Sequence, residues 1–362
     1  MKVVIVTDAW SPQVNGVVRT LQATRRELER CGHSVAMITP ESFVTLPCPG
    51  YPEIRLSLLP YRKLARRLHA EFEHDGEVAV HVATEGPLGF AARRFCLRHR
   101  IPFTTAYHTR FPQYLRAIYG VPEHWTYAAL RRFHAASALV MAATDSVEEE
   151  LRRAGIERVA RWTRGVDTDV FRPTEPMPLD LPRPVFAFVG RVSVEKNVEA
   201  FLQLDLPGSK VVAGDGPALP RLRRRHPEVL FLGMQDSEQL ARLYSAADAF
   251  VFPSRTDTFG LVLLEALACG LPVAAYPVQG PLDVVGGSDV AVLDEDLRRA
   301  ALAALRIDRA RCRAFAMQRS WRHATRQFVS LLRPTFVRTA RPLTPRVTAH
   351  ATDEAGATRT RS

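Results

Sequence analysis

From Phe252 to Ala266 the chain reads Phe-Pro-Ser-Arg-Thr-Asp-Thr-Phe-Gly-Leu-Val-Leu-Leu-Glu-Ala. An apolar run ends, a polar loop turns, and the spacing predicts a helix that begins near Thr258. The first N–H groups of a helix have no partner within it and attract anions, so Thr258, Phe259 and Gly260 are candidate phosphate contacts. Asp257 stands just before this helix and Glu265 two turns into it. A single carboxylate on so apolar a helix is costly to bury without a hydrogen-bonding partner. A sugar or ribose diol is one such partner, and a buried ion pair is the other.

Three further groups could share a site with that pair. Gly190-Arg191 is followed by Glu195-Lys196-Asn197. Arg191 and Lys196 can hold a diphosphate and stabilise its charge as it leaves; a solvated surface pair is the plainer reading. Tyr107-His108-Thr109-Arg110 follows a predicted strand, which places His108 at a strand end facing a cleft, unless it is a structural histidine bonded to backbone. In Asn15-Gly16-Val17 a loop gives way to a helix, and Gly16 would let backbone approach a ligand closely. The three-glycine dinucleotide fingerprint is absent, which argues against a nicotinamide enzyme.

The elements that must position these residues alternate between strands and helices. Strands are predicted at Val3–Val6, Ser34–Ile38, Val78–Val82, Phe103–Ala106 and Leu139–Ala142, with helices at Val17–Arg30, Gly89–His99 and Val147–Ala154. After a proline-rich stretch the pattern restarts at Val185–Val189, Lys210–Ala213, Val229–Leu232, Ala249–Phe252 and Pro272–Ala275. Such alternation implies two mainly parallel α/β domains, each wound on both faces, with ligands beyond the carboxyl ends of the strands. The expected organisation is a first domain over 1–170, a linker over 171–184 and a second domain over 185–319. A helix at 320–333 follows, and then a disordered basic tail over 335–362.

The chain has 362 residues, long enough for two cores. Five cysteines with no CxxC pair suggest neither a disulfide framework nor a zinc site and fit a reducing compartment. Phe259–Val278 carries one charge but also two glycines and two prolines, which fits a helix, a turn and a strand better than a membrane span. The formal net charge of +11 favours anionic partners, yet no nucleic-acid-binding pattern accompanies it. Arg62, Lys63, Arg66 and Arg67 interleave with Leu64, Ala65 and Leu68, a basic amphipathic pattern that could meet an anionic membrane or simply face water.

At the acidic pair the sequence resembles glycosyltransferase family 4, the group 1 retaining transferases of GT-B fold. The resemblance covers most of residues 1–333. It rests on Asp257 and Glu265 at E-x7-E spacing within Ser254–Gly270. Gly190-Arg191 with Glu195-Lys196-Asn197, Gly214-Asp215-Gly216-Pro217, Gly165-Val166-Asp167 and Asn15-Gly16-Val17 add to it. Asp8–Arg19 and His81–Gly89 look like the bacterial branch that transfers mannose or acts on lipids.

The resemblance implies two Rossmann-like domains facing a cleft, with the C-terminal helix crossing back to the first. It implies a nucleoside diphosphate sugar donor, GDP-mannose or a UDP-sugar, and front-face transfer of a hexose with retention. In that scheme Glu265 holds the ribose hydroxyls and Asp257 the donor sugar. Arg191 and Lys196 hold the diphosphate, His108 lies near the transferring sugar, and Gly16 brings backbone to the donor. No cofactor and no metal are required. The expected acceptor is a membrane lipid or glycolipid, which would place the protein in the cytoplasm or on the inner face of the cytoplasmic membrane. The family has Glu where this chain has Asp257, whose carboxylate is one methylene shorter. A sugar-nucleotide epimerase of the same fold and a non-catalytic nucleotide-sugar-binding module are the alternative readings.

Overall fold

The computed structural model describes residues 1–337 apart from 14, 49–50, 74, 109–111, 113–114, 117–119 and 258. The early strands are β1 (Lys2–Val6), β2 (Ser34–Ile38), β3 (Thr45–Cys48), β4 (Tyr51–Ser57), β5 (Gly76–Val82), β6 (Phe103–Tyr107), β7 (Leu139–Ala142) and β8 (Val159–Arg161). β3 and β4 form a separate antiparallel hairpin, and the rest make a parallel sheet in the order β2-β1-β5-β6-β7-β8. A second parallel sheet holds β9 (Val185–Val189), β10 (Ser209–Ala213), β11 (Leu230–Gly233), β12 (Ala249–Phe252), β13 (Val273–Ala275) and β14 (Ala291–Leu293), in the order β11-β10-β9-β12-β13-β14.

Both sheets are covered on both faces, so their central strands read as continuous apolar runs and not as alternating ones. In β1, Val4 and Val6 pack with Leu64, Leu88 and Phe95, while Val3 and Ile5 pack with Leu21, Trp162 and Phe328. In β9, Val185 and Ala187 pack with Leu263 and Leu267, while Phe186 and Phe188 pack with Phe201 and Leu297. The helix Trp321–Leu331 lies on the helix Gly16–Arg30 through Trp321, Ala324 and Ala23, and sends Phe328 into the first sheet's core.

Strand order then decides where ligands can enter. In the second sheet the chain runs outward from β9 to β11 on one side and from β12 to β14 on the other. The loops leaving β9 and β12 therefore diverge, and they open a crevice at the carboxyl ends of those strands. The first sheet has the same switch between β1 and β5.

The tail expected to be disordered from residue 335 is corrected at its start. Thr335–Val337 form β15, antiparallel to β5, with Phe336 opposite Glu77. The reason is that β6 pairs with β5 only from Val80 onward, which leaves the amino end of β5 with unpaired backbone groups on that side. Residues 338–362 lie outside the described residues. The stretch Phe259–Val278 resolves into the helix Leu261–Ala268, a turn and β13, and no described helix is long and apolar enough to cross a membrane.

Candidate active site

The loops leaving β9 and β12 bring Lys196 and Asp257 together. A 3-10 turn, Val194–Lys196, carries the lysine, and its Nζ donates to Oδ1 of Asp257. The other carboxylate oxygen, Oδ2, is buried and accepts no hydrogen bond from any described residue. An ionised oxygen in that state is incomplete until a donor such as a hydroxyl reaches it. Asn197 fastens the two loops through its side-chain amide, which donates to Pro253 O at 3.0 Å. Arg191 lies on the same β9 loop and is exposed.

Backbone close packing shapes this crevice. A Cβ on Gly214 would lie 1.9 Å from Gly190 O, so only glycine lets the loop after β10 lie flat on the loop after β9. The Gly214-Asp215-Gly216 motif is thus explained by the packing of one loop on another. Gly260, at φ +80°, turns the chain into the helix Leu261–Ala268. Phe259 before it is a core side chain, 9% exposed, which leaves only its backbone to meet a ligand. Thr258 lies outside the described residues.

Glu265 is buried at 6% exposure and ion-paired. Arg19, from the helix Gly16–Arg30 of the first sheet's half, donates to Oε1 at 3.0 Å, and Tyr244 Oη approaches Oε2 at 3.5 Å. Burial raises the Glu265 pKa above the usual carboxylate value, against the opposing pull of Arg19 and Tyr244. A cavity of about 560 Å³ runs from Glu265 and Leu261 along that helix to Gly165, Asp167 and Trp321. Of the candidate catalytic and donor-binding residues, Glu265 lines it, together with the Gly165-Val166-Asp167 turn.

Across the crevice, His108 follows β6. Its Nδ1 lies 3.1 Å from a guanidinium nitrogen of Arg164, and its ring meets Trp162 edge-on at 5.7 Å. Burial first, then Arg164 and His81, hold the His108 pKa well below the ordinary histidine value. Gly16 opens the helix Gly16–Arg30 with no atom within 4 Å of the place a Cβ would take. The next two N–H groups, of Val17 and Val18, are already capped by Asn15 Oδ1 at 3.0 Å each. Any ligand contact at that terminus thus falls to Gly16 itself.

The family model for glycosyltransferase family 4 matches residues 14–170, and the model for group 1 glycosyl transferases matches residues 183–307. Over 312 residues the chain is 31% identical to a GDP-mannose-dependent alpha-mannosyltransferase of Mycobacterium tuberculosis, spanning 79% of this chain and 81% of that relative. The chain belongs to glycosyltransferase family 4. This family 4 chain is a hexosyltransferase. It is also 27% identical over 315 residues to an alpha-monoglucosyldiacylglycerol synthase of Streptococcus pneumoniae, covering 76% of this chain and 71% of the relative. Its fold superposes on sucrose-phosphate synthase of Thermosynechococcus elongatus with a TM-score of 0.71 at 20% identity, over 91% of this chain and 98% of that one. The shared architecture is the two-sheet GT-B fold.

Three residues of this transferase's crevice were not singled out from sequence. Arg19 and Tyr244 act on Glu265, and Arg164 acts on His108; nothing local marks any of them. Asp8, the first residue of the Asp8–Arg19 stretch, has a structural task. It accepts from Leu88 N at 2.8 Å and Gly89 N at 3.2 Å, capping the helix Pro87–His99 from across the β1–β5 switch. Gly86 must be small there, because a Cβ would lie 2.4 Å from the Asp8 carboxyl carbon.

The basic quartet does not form one open face. Leu64 and Leu68 of the helix Tyr61–Glu71 are fully buried. Lys63 donates to Ser42 O and stands 5.5 Å over the Phe43 ring, and Arg67 reaches Met37 O at 3.4 Å. Arg62, Lys63 and Arg66 are exposed and Arg67 is half-buried, so Arg62 and Arg66 are the exposed pair for which no contact is described. Leu64 and Leu68 of this helix are consumed by the core, so the charge on its outward face comes from Arg62, Lys63 and Arg66.

Proposed function

We propose that this family 4 glycosyltransferase moves a hexose, mannose or a glucose-type sugar, from a nucleoside diphosphate sugar to a hydroxyl of a membrane lipid or glycolipid, with retention and without a metal. The observation that carries this reading is Asp257 Oδ2, a buried acceptor lacking a described protein donor, beside a lysine at the sheet's switch point. A sugar hydroxyl supplies the missing donor. Lys196 and the exposed Arg191 supply positive charge to the diphosphate, aided by the backbone at Phe259 and Gly260. Glu265 takes the ribose diol once Arg19 yields it, His108 borders the transferring sugar, and Gly16 contributes its N–H.

In the transfer the bond from the anomeric carbon to the phosphate oxygen breaks and the bond to the acceptor oxygen forms on the same face. The acceptor's proton passes to the leaving diphosphate. Catalysis rests on holding the partners in line and on stabilising the leaving charge. The mannosyltransferase relative supports the donor class, and the diacylglycerol relative supports a lipid acceptor. Arg62 and Arg66 stand near the apolar Leu59, which is 95% exposed, a combination suited to an anionic lipid surface.

Incubation with radiolabelled GDP-mannose, UDP-glucose and UDP-glucuronic acid, with and without diacylglycerol vesicles, tests the proposal. Labelled lipid together with free nucleoside diphosphate supports it. An epimerase would convert the donor into an isomeric sugar nucleotide with no labelled lipid and no net release of diphosphate, and a binding module would leave the donor unchanged; either result refutes the transfer.

A further inference from the structure

Arg164 is an unusual side chain to find next to a sugar site. It is only 4% exposed, and its guanidinium is held by neutral groups: Trp162 O at 2.6 Å, Thr163 O at 3.3 Å and His108 Nδ1 at 3.1 Å. Its guanidinium carbon also stands 4.3 Å over the Trp162 ring, whose face tolerates a cation. Guanidinium nitrogens donate and never accept. Nδ1 of His108 must therefore present its lone pair to Arg164, and the proton of the neutral ring belongs on Nε2.

We infer that Arg164 is a positioning residue that locks His108 as a neutral imidazole protonated on Nε2, so that His108 meets the transferring sugar as an uncharged hydrogen-bonding group and takes no proton during transfer. This rests on the reading of His108 as a neighbour of the sugar. The surroundings agree with it. Among the described residues, titratable groups that act on His108 include Arg164, from the loop after β8, and His81, on β5. Burial brings the Arg164 pKa down to about 9, which still leaves the group charged at neutral pH and opposed to a second proton on the ring. His81, whose Nδ1 is 2.9 Å from Thr104 Oγ1, is itself kept neutral by burial, its pKa brought down to about 3.

The loop that carries Arg164 is pinned from behind. Val166 N donates to Arg319 O at 2.9 Å, and a Cβ on Gly165 would lie 2.3 Å from Trp321 N. The start of the C-terminal helix thereby holds the loop that sets the histidine, which gives that segment a bearing on chemistry as well as on packing.

The test is the nitrogen-15 shifts of the His108 ring in the full chain labelled at histidine, assigned with His108→Gln and followed from pH 5.5 to 8. The expected wild-type signal is a single Nε2-protonated tautomer that does not titrate. Arg164→Met should shift both ring nitrogens toward the averaged values of exchanging tautomers. It should also lower kcat by about tenfold with KM nearly unchanged, the scale of one lost orienting hydrogen bond. Arg164→Lys, which returns a donor and a charge, should recover the tautomer and part of kcat. A wild-type ring protonated on Nδ1, or doubly protonated at pH 7, overturns the inference even if Arg164→Met does not fold. So does full transfer activity in His108→Gln. If the wild type transfers no sugar at all, the proposed function fails, yet the tautomer remains readable and is judged on its own.

Discussion

Asp257→Asn probes the acidic position with the least change in shape. In the folded chain Oδ1 receives Lys196 and Oδ2 is a buried acceptor without a described donor. An asparagine has one oxygen and one NH2 group. Its oxygen must stay with Lys196, because the ammonium can only donate, and the NH2 group then takes the place of Oδ2. A sugar hydroxyl that donated to Oδ2 now faces a donor. The loss is a hydrogen bond to a charged group, about 1.5–3 kcal/mol, with no rescue by flipping the amide. That predicts a fall in kcat/KM of about ten- to hundredfold. The assay is release of nucleoside diphosphate in the presence of a lipid acceptor, read beside binding of the free nucleoside diphosphate by calorimetry. Binding should change little if, as proposed, the oxygen in question serves the sugar. Asp257→Glu should retain activity while re-ranking donor sugars, because only reach changes. Wild-type kcat/KM in Asp257→Asn across several donor sugars would refute the reasoning. So would an equal loss in free diphosphate binding, which would place Asp257 at the nucleotide.

Gly280→Ala would set a Cβ 2.5 Å from the main-chain oxygen of Asp257, so the acidic loop must shift; overpacking of this kind costs about 1–3 kcal/mol, and both melting temperature and kcat/KM should fall. A variant as active and as stable as wild type would show that the loop gives way freely. Arg19→Met removes the cation that holds Glu265, so calorimetry at pH 8 should show tighter nucleoside diphosphate binding if the ribose and Arg19 compete for that carboxylate; weaker binding would make Arg19 a donor ligand instead. His81 has a folded pKa of about 3, so the unfolded chain binds the extra proton below its own value of about 6.5 and stability falls as pH drops through that window. Relative to wild type, His81→Gln should flatten urea-derived stability against pH by about 1.4 kcal/mol per pH unit there, with the buried carboxylates Asp8 and Glu265 cancelling from the difference; parallel curves would contradict a neutral His81. Reversing Arg62 and Arg66 to Glu should abolish sedimentation with phosphatidylglycerol vesicles and spare activity on a water-soluble acceptor analogue; persistent sedimentation would move the contact elsewhere.

The sequence alone was enough for the architecture, because its signals are local. β1, β9 and β12 are buried on both faces and so appear as uninterrupted apolar runs, each followed by a polar loop that leads to candidate site residues. The acidic pair at Asp257 and Glu265 was legible for the same reason, since two carboxylates on one loop and helix need no distant partner to be noticed. Short elements escaped. β8 and β14 have three residues each, too few to show a period, and β15 exists only because β5 offers it an open edge.

What each site residue touches was decided by tertiary structure. Glu265 is paired with a residue 246 positions away, Lys196 with one 61 away, and Arg164 with one 56 away. Side-chain type and spacing state what a group can donate or accept. Which partner satisfies it depends on how two sheets and the loops at their switch points are brought together, and that follows from burying the faces of the whole chain at once. The lone carboxylate of the helix Leu261–Ala268 could be recognised as needing a partner from the sequence, while only the fold shows that Arg19 now fills that need and that Asp257 Oδ2 still lacks a described donor.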